Sequence, residues 1–191
     1  MKRFWIINLV LFQAAWLCSA FYTEQAWWVV SVIIALHFAL SPTKQEDLKL
    51  LLLLPVGIAM DSLQLSIGGL SALPLETSSL TTTSSLLVGE EVANLGFHFP
   101  AWLVMIWVLF LISLNHSLHW LVNRSTVTLI VIGAIGGTSS YWGGIQAGAL
   151  QTNWQTEWML ASLMIGWGAL LPILVSGYNY LQKPMTFQPQ R

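Results

Sequence analysis

Charge is what this sequence has least of. Only 8% of its 191 residues are Asp, Glu, Lys or Arg, and 55% are apolar. A water-soluble domain carries about 25% charged residues, so this chain lacks the charge to cover a water-facing surface. Its net charge of −1 says nothing about nucleic acid, but no basic stripe runs along it to bind phosphates, so no nucleic acid partner is expected. Cys18 is the sole cysteine, so no intrachain disulfide forms. The histidines are His37, His98, His116 and His119, too few for a membrane di-iron desaturase or hydroxylase. A His-Glu-x-x-His motif, a phosphate loop and a Gly-x-Ser-x-Gly elbow are all missing. No catalytic residue, metal or other cofactor is therefore assigned from the sequence.

What the chain does have is six apolar runs. A spanning helix needs about 20 mostly apolar residues, within a range of about 17–25. Runs at 5–22, 26–41, 48–69, 101–122, 126–150 and 157–180 meet or approach that length. The expected fold is all-α, a single integral-membrane domain over 1–191 built as a bundle of six transmembrane helices. The Met-Lys-Arg start resembles a signal peptide, but the first run ends without a small-x-small cleavage site and reads as a retained anchor. Pro55 falls inside the third run and Pro172 inside the sixth, where a kink is expected. The long stretch 71–99, rich in Ser and Thr and carrying Glu76, Glu90 and Glu91, reads as a mobile outer loop.

The few charges are segregated. Lys2 and Arg3, Lys44 and Lys49, Arg124, and Lys183 with Arg191 all fall on one side of a six-span topology. The opposite turns carry Glu24, then Glu76, Glu90 and Glu91, then Glu157. Translocation disfavours basic loops, so both termini are expected in the cytoplasm of a bacterial cell, with the chain multi-pass in the inner membrane.

Polar residues inside the runs are the candidate site. The third run places Gly57, Asp61, Gln64 and Gly68 on one helical stripe. A carboxylate at that depth costs about 2.5–3.5 kcal/mol on insertion scales and must face the bundle interior. The fourth run carries Asn115, His116 and His119, and the second carries His37. His37, His116 and Asp61 lie at depths close enough to meet. Three readings compete for them: a metal site using the His116-x-x-His119 spacing, a proton relay or ligand pocket, and a buried hydrogen-bond network fixing helix register. In the fifth run Gly136, Ser140, Gly144 and Gly148 recur every four residues, with Gly133 and Gly137 alongside. Small residues so spaced let another helix approach closely. Ser140 and Tyr141 bring hydroxyls to mid-depth among them and join Asp61, His116, Asn115, His37 and Gln64 as ligand-binding or proton-relay candidates.

Several segments together resemble a known group. They are Asn8-Leu-Val-Leu-Phe-Gln13, Met60-Asp61-Ser62-Leu63, Leu114-Asn115-His116-Ser117-Leu118 with Trp120, and Gly133-Ala-Ile-Gly-Gly137 leading to Ser140-Tyr141-Trp142. The chain is similar, from about Phe4 to Tyr180, to bacterial inner-membrane proteins catalogued as domain of unknown function 2878. The resemblance implies a lipid connection, because genes of the group often neighbour those of fatty-acid-modifying methyltransferases. The architecture is also similar to the substrate-binding subunits of energy-coupling-factor transporters. The leading expectation is an accessory module that binds a lipid or small amphiphile and is not an enzyme. The alternatives are a small-molecule transporter or its substrate-binding subunit, and a lipid-modifying membrane enzyme. The bilayer is the expected partner, and self-association or a partner membrane protein stays open.

Overall fold

An apolar run away from water must satisfy its own backbone N–H and C=O groups, and a helix does this within one segment. The computed structural model describes residues 4–72 and 99–183, and there the chain is all-α apart from one short strand pairing. Helix α1 spans Phe4–Tyr22 and α2 spans Trp27–Leu40, joined by a 3-10 turn at Thr23–Ala26. Thr23 sits at φ 45°, in the left-handed region, and there the chain reverses. The two helices form an antiparallel hairpin, with Asn8 near the start of α1 beside His37 near the end of α2. Ser41-Pro42 ends the hairpin, with the Ser41 N–H donating to the His37 carbonyl at 2.7 Å.

The third rod starts earlier than the apolar run. Helix α3 covers Lys44–Leu50, a 3-10 segment covers Leu51–Leu53, and α4 covers Leu54–Ser66. Pro55 has no N–H and its ring would clash with the carbonyl four residues back. The tightened segment accommodates it, and Pro55 then occupies the first turn of α4. Gly68, expected on the Asp61 stripe, instead lies beyond the helix end at φ +76°. Its N–H donates to the Leu65 carbonyl at 3.3 Å, so it terminates α4.

The fourth run also departs from expectation. Helix α5 covers only Ala101–Ser113, and residues 114–118 form tight turns before a 3-10 segment at His119–Leu121. The Leu118 N–H reaches back to the Ser113 carbonyl at 2.8 Å. Asn115, His116 and Ser117 therefore sit on a turn, and the three-residue helical spacing expected for His116 and His119 does not apply.

Helix α6 spans Thr126–Gln146, with the Ser125 hydroxyl capping its start by accepting from the Thr128 N–H. Gly148 at φ +84° closes its end: the Ala149 N–H donates to the Gly144 carbonyl at 2.9 Å and the Gly148 N–H to Ile145 at 3.0 Å. Helix α7 spans Thr156–Leu181 and continues through Pro172. Strand β1 (Ser71–Ala72) pairs antiparallel with β2 (Leu150–Gln151), tying the exits of α4 and α6 together. The expected outer loop lies, apart from 71–72 and 99, outside the described residues.

Among the described residues, six helical rods thus run up and down. At one end gather Phe4, the 41–47 turn, the 114–125 connection and the end of α7; at the other lie 23–26, 67–72, 99–100 and 147–155. Phe4–Leu40 (folded into its hairpin), Lys44–Ser66 and Thr156–Leu181 are long and apolar enough to cross a membrane. The interior is built around Trp107 and Trp167, stacked at 5.3 Å and 8°. It is filled by Leu111, Leu114, Leu163, Leu170 and Leu174.

Candidate functional site

Three polar or open features occupy the interior, and the expected residues divide among them. The first centres on Asp47, which lies outside the expected site residues. Asp47 is fully buried on α3. The Ser41 hydroxyl donates to its Oδ2 at 2.5 Å, and the Asn115 amide to its Oδ1 at 2.8 Å. His37 Nε2 lies 3.1 Å from Oδ2, and His116 Nε2 lies 2.9 Å from Oδ1 and 3.1 Å from Oδ2. His37 and His116 do meet, with ring centroids 5.3 Å apart, but over Asp47 and not over Asp61.

A second layer holds these groups in place. Asn8, fully buried, accepts from the Ser117 N–H at 3.2 Å and the Ser117 hydroxyl at 2.5 Å. Its amide nitrogen faces His37 Nδ1 at 3.5 Å. The Tyr178 hydroxyl donates to Asn115 Oδ1 at 3.0 Å and lies 3.3 Å from His119 Nδ1. Phe4 packs against both imidazoles, 5.5 Å from His37 and 4.7 Å from His116 between centroids. His119 is exposed and outside the Asp47 shell.

The second feature is Asp61. It is fully buried, and both carboxyl oxygens accept. The Tyr141 hydroxyl donates to Oδ1, and the Trp107 indole N–H donates to Oδ2 at 2.5 Å. Gly57, one turn earlier, makes this possible. A Cβ there would stand 2.5 Å from the Trp107 ring, so only glycine lets the indole lie flat against α4. Gln64 is separate from Asp61 in its bonding: its amide exchanges hydrogen bonds with Ser162 of α7, at 2.9 and 3.0 Å.

The third feature is a cavity of about 520 Å³ between α1, α5 and α6. Its wall is mostly apolar and aromatic, with Phe12, Trp16, Trp107, Phe110 and Trp167 among the lining residues. Gly136, Ser140, Tyr141 and Gly144 also line it. Trp16 on α1 donates to the Ser140 hydroxyl at 2.9 Å across it. Asp61 lies behind this wall, holding the polar ends of Tyr141 and Trp107. Two lining residues, Ser19 and Trp167, have a buried Oγ and Nε1 with no partner.

The glycines of α6 therefore divide between two faces, and the expected packing row Gly136, Ser140, Gly144 and Gly148 is not the one that meets α7. Gly136, Ser140 and Gly144 face the cavity, and a Cβ at Gly136 would meet nothing within 4 Å. Gly148 lies past the helix end. The close approach of α6 to α7 is made by the parallel row, because a Cβ at Gly133 would strike the Trp167 carbonyl and one at Gly137 the Trp167 indole. The four-residue rhythm marks two faces, and only burial tells which one carries a helix.

Helices of membrane-spanning length, apolar on nearly every side and enclosing buried carboxylates, define an integral-membrane class of protein. The family model described as a protein of unknown function, DUF2878, matches residues 5–173, and the chain belongs to that family. No curated protein and no solved structure matches the chain.

Proposed function

We propose that this chain is a six-span inner-membrane protein with cytoplasmic termini that binds a lipid acyl chain or small amphiphile as an accessory module. The cavity between α1, α5 and α6 carries the reading. Its volume, about 520 Å³, is within the roughly 300–1,000 Å³ of small-molecule pockets. An apolar wall suits a hydrocarbon chain, and the lining Ser140 hydroxyl, which accepts from Trp16 and keeps its own proton to donate, suits a polar group on the same molecule. The exposed residues Gly136 and Ser139 belong to its lining, so the cavity opens through the side of the bundle, where lipid enters without crossing water.

The surface supports the membrane placement. Exposed aromatics cluster at the two ends of the rods: Trp5, Trp120 and Tyr180 at one, Tyr22, Trp27, Trp28 and Trp158 at the other. Amphipathic rings favour the two membrane interfaces. Between them exposed residues such as Val10, Ile135 and Ile165 are aliphatic. The described basic residues Lys44, Lys49, Arg124 and Lys183 belong to the end that holds Asp47, and Glu24 and Glu157 to the other. That polarity supports cytoplasmic termini.

The test is mass spectrometry of molecules retained by the chain in native membrane discs. One molecular species enriched over bulk lipid is expected, and its loss is expected in folded Asp61→Asn, where the Tyr141 and Trp107 wall loses its anchor. A retained population indistinguishable from the surrounding membrane would overturn the reading.

A further inference from the structure

The cluster around Asp47 is separate from the cavity, and nothing in the proposed lipid binding uses it. We infer that His37, Asp47 and His116 form a binding site for a divalent transition-metal ion, with zinc as its simplest occupant. Their ligand atoms all lie within 4.8 Å of one another. Zinc bonds to imidazole nitrogen at about 2.0–2.1 Å and to carboxylate oxygen at about 2.0–2.2 Å. Two such ligands at tetrahedral angles stand about 3.3–3.5 Å apart. The observed nitrogen-to-oxygen separations of 2.9 and 3.1 Å are close to that spacing, so small side-chain shifts admit an ion.

The chemistry of the set suits a cation. Two imidazoles and a carboxylate are ordinary ligands for zinc and its first-row neighbours. Both histidines present Nε2 to the same carboxylate. Asp47 does not depend on them for its orientation, because Ser41 and Asn115 each hold one oxygen. An ion can therefore replace the imidazole contacts without freeing the carboxylate. The ligands come from α2, α3 and the turn after α5, which three elements the ion would tie together. The surrounding shell is preorganised: Phe4 packs on both rings, and Tyr178 and Thr43 fix Asn115.

One contact gives a discriminating variant. A metal on His37 Nε2 leaves the proton on Nδ1, which then needs an acceptor. Asn8 now presents its amide nitrogen there, at 3.5 Å, the outer edge of hydrogen-bond range. Asn8→Asp keeps an acceptor for both Ser117 donors and supplies a carboxylate oxygen to Nδ1–H. It converts the site into a carboxylate–imidazole–metal chain, which strengthens metal binding.

The experiment uses the full chain without a polyhistidine tag, purified in detergent and stripped with chelator. Zinc is titrated by calorimetry, and cobalt(II) by its ligand-field absorption. Saturable uptake of one ion per chain is expected, with zinc displacing cobalt. Asp47→Asn should weaken it roughly a hundredfold, and Asn8→Asp should strengthen it about tenfold. His116→Gln, altering the partly exposed ligand, takes the place of Asp47→Asn if that variant does not fold. Folded wild-type chain that takes up no zinc or cobalt overturns the site. So does equal uptake by wild type and a folded ligand variant, which would put the ion elsewhere.

Discussion

Replacing Gly136 and Gly137 separates a ligand cavity from a helix seam. The two residues are adjacent on α6 but face different surroundings. A Cβ at Gly136 meets nothing within 4 Å, whereas one at Gly137 lands on the Trp167 indole. That indole has no retreat, because it is stacked on Trp107 at 5.3 Å. Gly136→Leu should leave the fold intact and raise helix stability by roughly 0.5–1 kcal/mol, the propensity gain over glycine. Its side chain would then occupy the mouth of the cavity. A ligand that remains must share the space, and overpacking costs about 1–3 kcal/mol. Affinity should fall about 5- to 150-fold at 1.4 kcal/mol per decade. Gly137→Ala should instead destabilise the protein by about 1–3 kcal/mol through the same overpacking, now between helices. Thermal unfolding in detergent reads the stability arm, and displacement of a fluorescent polyene fatty acid reads the binding arm. If Gly136→Leu binds the probe as wild type does, the cavity is not where the ligand sits. If Gly137→Ala unfolds at the wild-type temperature, the packing argument around Trp167 is wrong.

Three further outcomes are expected. Tyr141→Phe removes the donor to Asp61 Oδ1 and leaves a buried oxygen unpaired; it should cost about 1–3 kcal/mol, and a double-mutant cycle with Asp61→Asn should show coupling well above the roughly 0.6 kcal/mol average of interhelical bonds in membranes. Gly148→Ala forces a Cβ into the left-handed region at φ +84° and should lower stability by about 1–2 kcal/mol; an unchanged unfolding midpoint would contradict the helix-end assignment. In a Cys18→Ser background, Arg124→Cys should resist a membrane-impermeant thiol reagent applied to intact cells, while Glu157→Cys should react, and the reverse labelling would invert the topology.

The helical rods were legible because lipid leaves a backbone few options, so length and apolarity alone mark them. Their ends were less so. The run 101–122 reads as one helix by composition, yet the chain leaves α-geometry after Ser113, since Asn115, His116 and Ser117 are drawn onto Asp47 and Asn8. Asp61 was legible as a carboxyl amid apolar neighbours. Asp47 was not, because Lys44-Gln45-Glu46-Asp47 has the composition of a solvated turn. A signal for it existed: continuing the Gly57–Asp61–Gln64 stripe back through Leu50 reaches Asp47, and all five are buried. Trp107 gave no such signal, since one indole among many apolar residues shows no preference for a partner.

That shared stripe has a consequence for how the chain can vary in length. Asp47 and Asp61 stand on one rod, with the tightened segment at Leu51–Leu53 between them. Each residue inserted or deleted in an α-helix turns everything beyond it by about 100° and slides it about 1.5 Å. A single-residue insertion at that junction would aim one acid inward and swing the other away from the interior. The two polar centres are thus phased to each other, and neither can be shifted along the rod without unseating its counterpart.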